Sequence, residues 1–177
     1  METLKVLQSV GVKTLESLTP TINIHIGGAY GDKPKSMERF CKNFERLPDR
    51  VKSRLTVEND DKASMWSTSH LYRYIHSEIG IPIVHDIHHH TFCTGGLTQE
   101  EAMRLAASTW GDVRPVVHYS QSRSVEHNDS KIRAQAHSDC YWEYPETYGI
   151  DVDIMCEAKH KEIAVAKLLE IKDRRMN

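Results

Sequence analysis

Five short apolar runs in this chain each end in a histidine or a carboxylate, and that recurrence restricts the folds open to it. The most informative is Ile81-Pro82-Ile83-Val84-His85-Asp86-Ile87-His88-His89-His90. Its apolar start marks a strand buried on both faces. Its end sets one carboxylate among four imidazoles. Apolar packing does not require that chemistry, and a divalent metal does. The other runs cover residues 21–26, 51–57, 114–119 and 151–156. At or just past their ends stand His25, Glu58, His118 and Glu157, with Asp86 as the counterpart in the central run.

Helical patterns fill the spaces between the runs. They are expected at residues 2–10, 35–47, 64–79, 100–108 and 159–174. Met37, Phe40, Cys41 and Phe44 share one stripe, and Met65, Met103 and Leu105 read as core. Thr98 and Glu101 form a capping box, and Ile163, Ala166, Leu168 and Leu169 are the apolar residues of the last helix. Strands alternating with helices imply parallel strands joined by crossovers. Parallel α/β barrels place their chemistry at the carboxyl ends of the strands. Five metal-type residues at equivalent ends, with His89 and His137, point to a metal centre.

The length of 177 residues suits a single domain, 1–177, with room for a core. A net charge of −2 gives no overall pull toward nucleic acid and leaves a local basic surface open. The four cysteines form no C-x-x-C pair, which suits a reducing compartment. No apolar run reaches membrane-spanning length and no signal peptide precedes Leu4. The expected location is therefore intracellular: cytoplasmic, nucleoid-associated, or nuclear in a eukaryote. The polar segment 120–148 carries Gln121, Arg123, Lys131 and Arg133, which suit phosphate contact. Tyr141, Trp142 and Tyr144 there are candidates to stack on unpaired bases, or to close one end of a barrel.

Several motifs resemble the UV damage endonucleases. They are Ile24-His25-Ile26-Gly27-Gly28 with Gly31-Asp32-Lys33, and Arg54-Leu55-Thr56-Val57-Glu58-Asn59-Asp60-Asp61. Asp86-Ile87-His88-His89-His90, His118-Tyr119-Ser120, Ala136-His137-Ser138-Asp139 and Glu157-Ala158-Lys159-His160-Lys161-Glu162 extend the likeness over nearly the whole chain. The resemblance implies a TIM barrel akin to endonuclease IV and xylose isomerase. It implies a repair nuclease nicking damaged double-stranded DNA 5′ to UV photoproducts and related lesions. Manganese is the divalent ion expected, with zinc or magnesium as alternatives. Glu58 resembles a carboxylate bridging two metals, and His25 a ligand of the first. Asp86, His118 and Glu157 resemble ligands of the second, and His89 and His137 ligands of a third. Asn59, Asp60 and Asp139 are candidates to orient these ligands.

The chain also departs from that pattern. A closed eight-stranded barrel takes about 250 residues. The five runs match the family's last five strands, so the expected fold is an incomplete TIM barrel lacking the first three β/α units. The lysine usual two residues before His118 is Val116 here. A homo-oligomer or an upstream half-barrel chain is therefore an expected partner. A non-catalytic remnant and a sugar-isomerase-like metalloenzyme are the alternative functions.

Overall fold

The computed structural model describes residues 21–176. The helix expected at residues 2–10 lies outside them. Strands β1 (Ile22–Ile24), β2 (Leu55–Glu58), β3 (Ile83–Asp86), β4 (Val116–Tyr119) and β5 (Asp153–Cys156) lie side by side in chain order. Every neighbouring pair is parallel, and the sheet is a half-barrel. Helices α1 (Lys33–Glu45), α2 (Asp49–Lys52) and α3 (Thr68–Leu71, continued by a π-helical turn Tyr72–His76 and by Ser77–Ile79) come first. After them follow α4 (Ile87–His90), α5 (Gln99–Ala107), α6 (Arg123–Glu126) and α7 (Lys161–Met176).

Side chains alternate between the two faces of each strand. One face meets the helices. Ile24, Leu55, Val57 and Ile83 pack there with Met37 and Phe44 of α1 and with Leu71 and Ile75 of α3. Tyr119, Ile154 and Cys156 pack with Ala164 and Leu168 of α7. Each fully buried aliphatic side chain stabilises by about 1.5–3 kcal/mol. The opposite face carries Asn23, Thr56, Glu58, Asp86 and His118, whose side chains meet one another. Register fixes their heights, with Glu58 beside Val84, Asp86 beside His118, and His118 beside Met155.

Helix ends follow local chemistry. Thr98 and Glu101 form the expected capping box of α5. At the other end of α5, Trp110 Nε1 donates to the Ile83 carbonyl at 2.8 Å. Thr109 Oγ1 accepts from the Ile83 amide at 2.9 Å. The turn after α5 is thereby stitched to β3.

Three expectations shift. The start of run 51–57 is helical, because Pro48, with φ −59° and ψ 144°, leads into α2 and β2 opens only at Leu55. The helix expected from residue 64 begins at Thr68, because Ser67 caps it. Trp66 is instead buried, its Nε1 donating to the Gly27 carbonyl at 2.7 Å. On α7 the buried residues are Ala164 and Leu168, one helical turn apart, with Ile171 partly buried beyond them. Ile163 and Leu169 point to solvent, 65% and 53% exposed.

Gly95 has φ +60°, and a Cβ built there would lie 2.1 Å from Ser67 Oγ, the cap of α3. Gly95→Ala is expected to cost about 2 kcal/mol or more from clash and left-handed backbone together. Urea denaturation read by circular dichroism checks this. An unchanged midpoint would show that the contact yields freely.

Candidate metal centre

Glu58 closes β2 and is buried between imidazoles on both sides. Its Oε1 lies 3.2 Å from His89 Nδ1 and 3.9 Å from His25 Nε2. Its Oε2 lies 3.3 Å from His118 Nδ1. Two groups of possible ligands share it: His25, Glu58 and His89, and Glu58, Asp86 and His118. Glu157 extends the row, 3.1 Å from His118 Nδ1 and 3.6 Å from His137 Nδ1. Donor atoms about 2 Å from one ion sit roughly 3–3.5 Å from each other, so these spacings suit shared cations.

Two buried atoms fit that use. Asp86 Oδ2 and His118 Nδ1 have no hydrogen-bond partner. An unpaired buried polar atom is costly, and a cation would satisfy both. Imidazole with carboxylate is a donor set for first-row divalent ions.

Neighbouring groups set the ligand geometry. Thr56 Oγ1 donates to Asn23 Oδ1 at 3.0 Å, and Asn23 Nδ2 donates to Glu58 Oε2. The Asp60 carboxylate lies 3.0 Å from His25 Nδ1. The Asn59 carbonyl lies 2.9 Å from His89 Nδ1. The Asn59 side chain spans to β3, accepting from the Asp86 amide at 2.8 Å and donating to the Asp86 carbonyl at 3.0 Å. Asn23 and Thr56 were not singled out from the sequence. Their signal is a polar residue two before His25 and two before Glu58, on the same face of otherwise apolar strands.

Only one imidazole of the 85–90 stretch joins Glu58. His85 faces the helices between Thr68 Oγ1 (3.1 Å) and Gln99 Nε2 (2.9 Å), and burial lowers its pKa to about 3. His90 Nε2 meets the Leu97 carbonyl at 3.1 Å. His88 packs edge-on against Phe92 and against His137. His89 sits with His25 and Glu58, and its ring centroid is 6.2 Å from that of His137.

The segment 120–148 folds back on itself. Gln121 is buried, and its Oε1 accepts from the Trp142 amide at 3.0 Å. Arg123 Nε lies 3.3 Å from Asp139, which also pairs with His127 at 2.7 Å. Glu126 accepts the amides of Asp139 and Cys140. Glu126, His127 and Asp139 have metal-like spacing, but these partners already use their oxygens. Asp139 thus holds this segment and does not orient a ligand of the Glu58 cluster. Lys131 and Arg133 are exposed. Tyr141 is fully buried and stacked on Tyr119, so it belongs to the core and is no base platform. Trp142 is 43% exposed.

The model of the family described as UV-endonuclease UvdE matches residues 3–176. This chain belongs to the UV-endonuclease UvdE family. A UV DNA damage endonuclease of Bacillus cereus (strain B4264) is 35% identical over 176 residues, 94% of this chain and 51% of that protein. Another, from Bacillus velezensis, is 37% identical over 158 residues, covering 84% and 47%. The solved structure "Crystal Structure of SacUVDE" superposes with a TM-score of 0.75 at 29% identity, covering 98% of this chain and 56% of that one. The chain spans about half the length of the curated UvdE relatives it matches.

Electrostatics shape this UvdE cluster. Burial opposes the charged form of His118, but the Glu157 and Glu58 carboxylates outweigh it and raise the pKa to about 10. His89 follows the same pattern, with Glu58 and Asp86 raising it to about 9. Burial pushes Glu58 up, yet His118 and His89 hold it well below the usual carboxylate range. Burial raises Asp86 to about 7. In metal-free protein the stabilisation from the charged rings is complete below their unfolded value of 6.5. It is lost as pH rises through about 9 and about 10. Asp86 adds a loss in the same direction between its ordinary 3.8 and about 7. The metal-free melting temperature is therefore expected to fall steadily from neutral pH to about pH 10. A calorimetric melt series that is flat or rising over this window would contradict the charged cluster.

Proposed function

We propose that this chain carries the nucleolytic centre of a metal-dependent DNA repair endonuclease, one that nicks DNA 5′ to UV photoproducts and related lesions. The observation that carries this reading is the division of Glu58, one oxygen toward His25 and His89 and the other toward His118. Family membership supports DNA as the substrate. His25 and Glu58 would hold one ion, and Glu58, Asp86, His118 and Glu157 a second. His89 and His137 would hold a third. Manganese is the favoured ion, with zinc or magnesium as alternatives. Bound divalent ions supply an activated water, neutralise phosphate oxygens and stabilise the leaving alkoxide.

The protein's own groups prepare that chemistry. Asp60 keeps a proton on His25 Nδ1 and leaves Nε2, the nitrogen facing Glu58, as the ligating atom. The Asn59 carbonyl, 2.9 Å from His89 Nδ1, fixes the orientation of that ring beside Glu58. Burial of Asp86 and Glu58 keeps water from competing for their oxygens. Lys131 and Arg133 remain available for backbone phosphates, whereas Gln121 and Arg123 serve the fold of their own segment.

Glu58→Gln keeps the shape and removes the shared charge. It is expected to strip most bound metal and to abolish nicking of UV-irradiated supercoiled plasmid with Mn²⁺, leaving the circular dichroism spectrum unchanged. Equal metal content in wild type and Glu58→Gln, by elemental analysis, would sink the assignment.

A second reading concerns partners. Among the described residues no strand pairs with the outer edges of β1 and β5. Ile22 on β1 and Met155 on β5 are 43% and 53% exposed. Open apolar edges invite pairing. The half-barrel would then act with a second copy or with a chain supplying further strands. Light scattering is expected to show association. A stable monomer that melts cooperatively and nicks irradiated plasmid at full rate would overturn this reading.

A further inference from the structure

The loop from β1 to α1 begins at His25, a member of the Glu58 cluster, and its Ile26 and Ala29 pack against the helix-side core. It presents one aromatic ring to solvent. Tyr30 is 86% exposed, the most among the described large apolar residues. Its φ is +49°, in the left-handed region that residues with a Cβ rarely enter. The surrounding loop is not loose. The Ala29 carbonyl accepts from the Asp32 amide at 2.9 Å and from Ser36 Oγ at 2.9 Å. The Gly27 carbonyl is tied to buried Trp66. The Tyr30 ring folds over Gly28, where any Cβ would come within 3.1 Å of Cζ. The Arg39 guanidinium lies 5.7 Å from the ring centroid.

The contacts with Gly28 and Arg39 leave most of the ring in water, although the loop holds it with a left-handed backbone. The ring needs a partner with a flat apolar face. Charge narrows the class: the Arg39 guanidinium is the cation beside the ring, and Lys35, exposed and paired with Asp32 at 3.3 Å, lies in the first turn of the helix that carries Arg39. Aromatic rings beside cations are the means by which proteins hold bases and phosphates of unpaired strands. We infer that Tyr30 is a stacking post for a base displaced from the duplex at the lesion, with Arg39 and Lys35 facing the adjoining phosphates. This rests on the reading that the chain acts on damaged DNA. It adds a contact outside the metal-type residues, five residues beyond His25 in the chain.

The test titrates wild type, Tyr30→Phe and Tyr30→Ala against a duplex carrying one thymine photodimer flanked by 2-aminopurine. Wild type and Tyr30→Phe are expected to quench the probe on binding. Tyr30→Ala is expected to bind on the order of ten-fold more weakly, as for loss of one base–aromatic stack, and not to quench. Its melting temperature and metal content should match wild type. Wild-type binding with equal affinity and quenching in Tyr30→Ala overturns this inference and leaves the nuclease reading standing. Loss of binding shared by Tyr30→Phe also overturns it, because phenylalanine stacks equally well. Should Tyr30→Ala fold poorly, a wild-type complex that leaves the probe unquenched overturns it alone. No binding of the damaged duplex by wild type overturns both readings.

Discussion

A buried carboxylate with cationic or metal-binding neighbours on both sides is the constraint on which this structure depends. Glu58 is almost wholly removed from water. An isolated charge there would be prohibitive, and it persists because His118 and His89 hold it ionised. Those imidazoles come from different strands and their loops. They reach Glu58 only because β2, β3 and β4 are parallel and adjacent, so that their carboxyl ends lie at one height. The sheet and the site are thus one arrangement. The helices matter to chemistry chiefly by holding that register from the other face.

Much of this was legible in the chain. Apolar runs that end in histidine or carboxylate announced both the strand order and the residues that gather. The strand ends at Tyr119 and Cys156 could be read to the residue because each run passes abruptly from apolar to ligand chemistry beside them. What could not be read was the orientation of consecutive histidines. His85, His88, His89 and His90 look equivalent in a string, yet strand alternation and then one turn of α4 send them to different surroundings. Thr68 and Gln99, distant in sequence, decide that His85 is structural.

The segment after β4 shows a second limit. Its polar and aromatic residues read as a surface for nucleic acid. Several are instead used internally: Tyr141 stacks on Tyr119, Gln121 carries the Trp142 amide, and Glu126 carries two more. A segment with little regular structure must satisfy its backbone with side chains, and those side chains are then unavailable to a ligand. Composition reports which groups are present and not which are already committed.

Asn59 acts at the opposite scale. Its amide gives β3 the donor and acceptor that one more residue of β2 would have given. A side chain therefore serves as a rung of the sheet, and the backbone of 59–61 is released from the ladder. That backbone is free to turn, and it brings Asp60 under His25 while its own carbonyl meets His89. The loop can change direction sharply at the point where the two central carboxylates must keep their separation, because the element that fixes their separation is not the element that bends.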